Sequence, residues 1–506
     1  MPRNAAANLV RMSASWIVVL LLPPLLVRVL DKPTYATWVL ILQLGAYVTL
    51  VDTGLQSAIG RFVARAEELR DRRSMGHALS SAGLILMVAA VVAAGVTLIC
   101  SSQLNHLFHG IPGSIARGAR ESMLVIGVSL AISLPFSTFA GAFLGLQMNH
   151  VNAVAGGVGK LAGAAGAAWA AWHRQGLLAM SLWIGGGNLV QSAIYLAWWQ
   201  RLRIQGMLRR AFMTNAAVRE FSRFCAAMFA VQLASLLITG MDMPVVAAFD
   251  FRAAAYYAVA ATVSNMLIVP HSAIVTTLVP VASGLSATEP PERLGQIVIK
   301  TTRYASAILC LLTLPLLFAL YPFLHLWVGA DYAQHALPLA MVLIVAQFIR
   351  LTLLPYASIG FGAGQQERML VSPLVEGLVN LACSVAGAWL WGALGVAVGT
   401  LIGALVGALL HFINSMPRTD SLRFSRQSLL FSGIMRPAAC CVPALLLMAW
   451  ALRKISAMPE ELGFAAIGEL LAAIMLWRAN FSRDERGEMV ALAKRMSGLR
   501  LARLRA

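Results

Sequence analysis

The chain has 506 residues, of which 59% are hydrophobic and 12% charged, with a mean hydropathy of +0.76 and a formal net charge of +18. A soluble domain carries about one-quarter charged residues, so these values exclude a water-soluble enzyme and mark a polytopic membrane protein. In such a chain the cationic excess reports topology and attraction to anionic lipid headgroups, and nucleic acid is not an expected partner.

A bilayer core of about 30 Å needs about 20 apolar residues per helical span. Fourteen such stretches follow in order: 12 to 30, 36 to 56, 79 to 100, 121 to 144, 151 to 172, 177 to 199, 224 to 242, 253 to 281, 304 to 328, 336 to 360, 369 to 390, 393 to 414, 430 to 452 and 462 to 478. They are continuously apolar and do not alternate in segments of about ten residues, which excludes β-barrel strands. No small-residue cleavage pattern follows Val29, so the first stretch is read as an uncleaved span and not as a signal peptide.

Lys and Arg accumulate in cytoplasmic loops. Arg61, Arg65, Arg70, Arg72 and Arg73 follow span two, Arg201 to Arg223 follow span six, Arg418, Arg423 and Arg426 follow span twelve, and a further basic run extends from Arg478 to Arg505. The opposite-face loops hold mainly Lys32, Arg117, Arg120, Arg174, Arg252, Arg453 and Lys454. Both termini are therefore expected in the cytoplasm. In the tail, Met489, Leu492, Met496 and Leu499 share one helical face and Lys494, Arg495 and Arg500 lie off it, the pattern of a basic helix on the membrane surface or of a solvated tail.

Little room is left for soluble chemistry. The longest connections, about 200 to 223 on one face and 101 to 118 on the other, are too short to fold as domains. Gly156 to Lys160 lacks the glycine and hydroxyl residue of a phosphate loop, having Val154 and Leu161 there. The six cysteines, Cys100, Cys225, Cys310, Cys383, Cys440 and Cys441, lie in or beside spans without a metal-ligand spacing and read as small apolar residues. No cofactor is expected.

An internal echo organises the spans. Residues 134 to 169 lie over 354 to 389 without a gap at an offset of 220, with eight of 36 positions identical, among them Pro135 and Pro355, Gly157 and Gly377, and Trp169 and Trp389. Pro24 falls on Pro244 at the same offset. A repeat of this length implies two similar lobes. The expected organisation is an N-terminal six-helix lobe with its linker over 1 to 223, a second six-helix lobe over 224 to 427, two additional helices over 428 to 478 and a basic tail over 479 to 506. An even number of spans per lobe gives both lobes one orientation, with a pseudo-symmetry axis along the membrane normal and a central cavity suited to alternating access. Pro135, Pro270, Pro315 and Pro355 are candidate bend points, and Gly395, Gly399, Gly403 and Gly407 form a stripe for close helix contact.

Several segments resemble the polysaccharide-exporting branch of the multidrug, oligosaccharidyl-lipid and polysaccharide exporter superfamily. They are Asp52-Thr53-Gly54-Leu55 followed by Arg61, then Asp242 with Phe249, Tyr256, Tyr257, Pro270 and Pro280, and then the run from Gly392 to Thr400. The resemblance implies an inner-membrane flippase of bacteria. It would carry an oligosaccharide on undecaprenyl pyrophosphate to the outer leaflet, with polysaccharide polymerase and assembly proteins as partners.

Moving a pyrophosphate through hydrocarbon needs a polar, cationic path, because an isolated ion costs tens of kcal/mol by Born estimates. Charged residues inside spans cost about 2.5 to 3.5 kcal/mol each, so those retained are functional candidates. Lys160, on a helical face with Gly156, Gly157 and Gly163, and Arg350, on a face with Gln347, are the expected substrate-anion contacts, and Arg28 ranks after them because Asp31 lies one turn away. An ion pair of Arg350 with Glu376 is the competing structural reading. Ser372, Glu376 and Asn380 form a polar stripe that must face inward. Glu376, Asp242 and Asp52 are the candidates for coupling to H+ or Na+, although Asp52 also suits a cap or a partner for Arg61. His271 is expected to be a satisfied polar residue or a proton relay. A cation-coupled multidrug antiporter would share the fold, and a polysaccharide polymerase or ligase would need a large outer loop with catalytic groups.

Overall fold

The computed structural model describes residues 2 to 202, 219, 232 to 275, 278 to 285, 289 to 454 and 458 to 491. Among them the chain is helical, and ten segments are long and apolar enough to cross a membrane by length and composition. The expected number of fourteen differs because regular structure is divided differently from apolarity. Glu367–Arg418 counts as one segment of 52 residues, yet it holds two of the expected spans. Helix Val371–Leu410 within it folds back on itself at Trp391 and Gly392, whose dihedrals are not helical. Asn149–Trp172 and Lys32–Ala46 are helices outside the ten. The basic tail from 492 onward, Cys225, and most of the linker expected to close the first lobe at 223 lie outside the described residues.

The chain divides into two compact units. Met1–Thr262 and Pro373–Gly403 form the first, and Val263–Ser372 and Ala404–Ala506 form the second.

In the first unit, helix Asn149–Trp172 packs chiefly on Gly176–Gln200, and glycine makes the approach possible. A β carbon at Gly159 would lie 2.7 Å from the Gly187 carbonyl oxygen, and one at Gly163 would lie 3.3 Å from the Ile184 Cα. The hairpin formed by the two arms of Val371–Leu410 uses the same device, since a β carbon at Gly403 would lie 2.7 Å from the Asn380 Cβ. Gly395 and Gly399 likewise face Gly387 and Ser384, as the sequence stripe implies. At the hairpin tip, Gly392 has φ 57 and ψ −138, a backbone conformation essentially confined to glycine. There Asp250 Oδ2 accepts from Ala393 N at 3.1 Å and Asp250 Oδ1 from Ala253 N at 3.3 Å, so one carboxylate caps two helix starts.

Pro135 and Pro355 both interrupt helices. Gly113–Ser133 passes through a 3-10 turn at Leu134–Phe136 into Ser137–Gly145, and Ala330–Thr352 breaks at Leu353 before Leu354–Gly362. Proline supplies no N–H and clashes with the preceding turn, which is why the ladder breaks there. Helix Arg72–Leu107 starts at Asp71, whose Oδ1 accepts from Arg73 N and Ser74 N at 3.0 Å. The Ser74 hydroxyl at 2.6 Å and these amides hold the Asp71 carboxyl below the usual carboxylate range.

The second unit has two apolar clusters. One gathers Leu294, Val298, Tyr356, Ile359, Met416 and Leu422, and the other gathers Leu314, Met448, Ala472 and Leu476 with the buried thiols of Cys310 and Cys441. Cys100, Cys383 and Cys440 are only half-buried, so the reading as apolar core residues holds for two of the five described cysteines. Arg303, on helix Pro291–Phe318, pairs with Glu485 beyond the last span, and Phe481 stacks edge-on against Tyr304 at 5.2 Å. Ser482 and Glu485 form a reciprocal cap, with Ser482 N donating to Glu485 Oε2 at 2.9 Å and Glu485 N to Ser482 Oγ at 3.2 Å.

Candidate functional site

In the first unit, a polar cluster surrounds Asp242, which is 8% exposed. The carboxylate lies in the first turn of helix Asp242–Phe249, where unsatisfied N–H groups and the helix dipole favour negative charge. Thr400 Oγ1 donates to Asp242 Oδ2 at 3.1 Å, and Asn380 Nδ2 donates to Asp242 Oδ1 at 3.3 Å. Both partners come from the glycine-zipped hairpin: Asn380 projects from one arm and Thr400 from the other. Of the stripe, Glu376 and Asn380 lie in this unit and are buried as its spacing implies, and the stripe continues to Ser384; Ser372, also buried, lies in the second unit.

Just before Asp242 the chain forms a π-helix over Leu236–Gly240. A π-helix breaks the ordinary i to i−4 ladder and turns carbonyls outward. Asn380 Nδ2 reaches Leu237 O at 3.0 Å and Ile238 O at 2.9 Å, while Tyr47 Oη donates to Gly240 O at 2.6 Å and Gln43 Nε2 to the same oxygen at 3.3 Å. Because the Asn380 nitrogen faces two carbonyls and a carboxylate, the orientation of its amide is fixed. Its Oδ1 is then buried with no hydrogen-bond donor among the described residues. A carboxylate and a hydroxyl oxygen thus come together beside the Asn380 amide nitrogen in a region nearly closed to water. Such hard oxygen donors suit a small cation or a proton.

The other sequence candidates are dispersed. Lys160 is exposed, and the packed stripe of its helix is Gly159, Gly163 and Gly166. A β carbon at Gly156 or Gly157 would meet nothing within 4 Å, so these two glycines border open space near Lys160. Arg28 is exposed. Arg350 lies in the second unit and is half-buried beside the buried Gln347. Glu376 is 7% exposed in the first unit, one turn from Asn380. Asp52 lies on helix Leu50–Glu68, and its side chain is outside the described residues.

His271 departs from expectation: it is fully buried, and neither ring nitrogen has a hydrogen-bond partner among the described residues. Sequence reasoning missed Gln43, Tyr47 and Thr400. Gln43 and Tyr47 carried a usable signal, being polar residues one turn apart in an otherwise apolar helix.

The arrangement of the helices is similar to that of several solved membrane transporters. The chain aligns with the lipid II flippase MurJ in an inward closed conformation with a TM-score of 0.69 and 13% identity, over 94% of this chain and 99% of that one. It aligns with an inward-facing multidrug resistance MATE transporter with a TM-score of 0.66 and 14% identity, over 82% and 98% respectively. For the eukaryotic MATE transporter AtDTX14 the TM-score is 0.61 at 14% identity, over 84% and 96%. The chain therefore has the fold of these membrane transporters, with ten segments among the described residues long and apolar enough to span a membrane. Residues 2–286 match the family described as polysaccharide biosynthesis protein, more than half of the chain, and the chain belongs to that family. A comparison with curated proteins returns no match.

Proposed function

We propose that this transporter flips an oligosaccharide linked to undecaprenyl pyrophosphate from the cytoplasmic to the outer leaflet of the bacterial inner membrane. The product would serve synthesis of an O-antigen, capsule or exopolysaccharide, and both termini would be cytoplasmic. The observation that carries the reading is the match of residues 2–286 to the polysaccharide biosynthesis family on a flippase-like fold. Lys160 and Arg350 are the proposed contacts for the pyrophosphate, with Arg28 behind them. An open apolar groove of about 550 Å³ in the second unit, lined by Leu312, Pro315, Phe323, Leu326, Trp327 and Leu462, offers a surface for hydrocarbon. Polymerase and assembly proteins would take the product on.

Transport is coupled, in this reading, to Na+ or H+ at Asp242, with the Thr400 hydroxyl as a fellow ligand, the Asn380 amide holding the carboxylate, and Glu376 as a second carboxylate one turn from Asn380. A buried carboxylate is costly unless paired or neutralised. Binding a cation there changes the energy of the surrounding helices and biases alternating access. The MATE neighbours support a second reading, a cation-coupled drug antiporter, because they share the fold.

Deleting the gene and locating the accumulated lipid-linked oligosaccharide tests the choice. The flippase reading expects accumulation on the cytoplasmic leaflet with unchanged sensitivity to cationic drugs. Normal delivery to the outer leaflet, in cells without a redundant transporter, would contradict it.

A further inference from the structure

The span that carries Gln43 and Tyr47 changes helix type where it meets the Asp242 cluster. Helix Lys32–Ala46 gives way to a 3-10 turn at Tyr47–Thr49 and resumes as Leu50–Glu68. A short 3-10 stretch between two helical segments often marks a functional hinge. Tyr47 is the first residue of this turn. Its hydroxyl donates to Gly240 O at 2.6 Å and lies 3.8 Å from Met241 Sδ, so it grips the backbone two residues before Asp242. Gln43 bonds the same carbonyl, and helix Lys32–Ala46 packs against helix Asp242–Phe249. Position 240 is glycine for a local reason. A β carbon there would lie 2.6 Å from Leu236 Cδ1 and 3.4 Å from Tyr47 Cε1, crowding the ring that makes the bond.

The π-helix is therefore held from two sides. Asn380 binds Leu237 O and Ile238 O and also Asp242 Oδ1, whereas Tyr47 and Gln43 bind Gly240 O. Neutralising Asp242 weakens its hold on the Asn380 amide, since a hydrogen bond to a charged acceptor is about twice as strong as one between neutral groups. The amide and the carbonyls it binds then readjust, and the bond from Gly240 carries the shift to the 3-10 turn.

We propose that Tyr47 is a positioning residue that transmits the charge state of Asp242 to the hinge at Tyr47–Thr49, linking cation binding to movement of this span. The proposal rests on the reading of Asp242 as the cation site. It needs no substrate contact by Tyr47 itself.

Hydrogen–deuterium exchange on the full-length protein in lipid nanodiscs tests it, with peptides covering 40 to 55 and 236 to 243, in sodium chloride against choline chloride. Four proteins are compared: wild type, Asp242→Asn, the isosteric Tyr47→Phe, and the double variant. The expected result is that Asp242→Asn changes exchange at 40 to 55 about fivefold when Tyr47 is present and not when it is Phe, the size set by one hydrogen bond. The response at 236 to 243 should persist in both backgrounds. An equal response at 40 to 55 in the Tyr47→Phe background overturns the proposal while leaving the cation site standing. If neither sodium nor Asp242→Asn alters either segment of the protein with Tyr47 intact, the reading of Asp242 fails and the proposal falls with it. A merely structural role for Tyr47 would change exchange without regard to residue 242.

Discussion

Asn380 Nδ2 lies 3.3 Å from Asp242 Oδ1, joining residues 138 positions apart, and it does so from a helix that glycine allows to approach its neighbour. The same amide nitrogen binds two π-helix carbonyls, so one side chain fixes both the carboxylate and the backbone leading to it.

Replacing Asn380 by Leu should remove cation stimulation of transport and leave two half-buried carbonyls without their donor. Losing the hydrogen bond to the charged Asp242 costs about 1.5 to 3 kcal/mol, so the variant should also melt at a lower temperature. Asp242→Asn should lose the stimulation with a smaller change in melting, since the amide keeps the shape. Stimulation ratios measured in proteoliposomes, normalised to inserted protein, check both.

A glycine in the hairpin should be sensitive to size, and one on helix Asn149–Trp172 tolerant of it. Gly403→Val places new atoms against Asn380 and should destabilise the fold by about 1 to 3 kcal/mol. Gly157→Ala faces open space and should be nearly neutral or slightly stabilising. Thermal unfolding in detergent, followed by intrinsic fluorescence, separates the two.

Glu485 supplies a dependence on pH. Burial raises its carboxyl pKa, but the Ser482 amide, Tyr304, Arg303 and Lys300 outweigh burial and the net pKa is lowered. A carboxylate with a depressed folded pKa contributes stability that is full above its unfolded value, about 4.3, and is lost as pH falls through the folded one. Stability should therefore be level from neutral pH down to about 4.3 and decline below it. Glu485→Gln should lower stability by about 3 kcal/mol at neutral pH, because it strands Arg303 with only 16% of its side chain exposed. The decline in acid should be shallower in that variant, as followed by chemical denaturation.

Lys160→Ala and Arg350→Ala should each reduce transport while insertion stays normal. Wild-type flipping in both variants would remove these residues from the substrate path.

Local patterns in the sequence carried much of this architecture. Pro135 and Pro355 announce matching helix breaks because a missing N–H acts where it stands. Gly395, Gly399 and Gly403 announce close packing because they recur every turn. The stripe through Glu376 and Asn380 announces burial for the same reason. What joins Asn380 and Thr400 to Asp242 was not legible, since it depends on how three distant helices meet. The π-helix at Leu236–Gly240 was hidden as well, because its residues fit the apolar pattern of an ordinary span. The small-residue face around Lys160 left packing and a cavity as alternatives, and the two sides of that helix differ: Gly159 and Gly163 meet the next helix, whereas Gly156 and Gly157 border open space.

The central claim is cation-coupled flipping of a lipid-linked oligosaccharide, and purified protein in sealed proteoliposomes tests it most directly. The measurement is the fraction of a labelled undecaprenyl-pyrophosphoryl oligosaccharide reaching the opposite leaflet, with and without a gradient of Na+ or H+. The account predicts flipping that accelerates with one of the gradients in wild type and ignores both in Asp242→Asn. No flipping above protein-free vesicles, or gradient-driven flipping undiminished in Asp242→Asn, would contradict it.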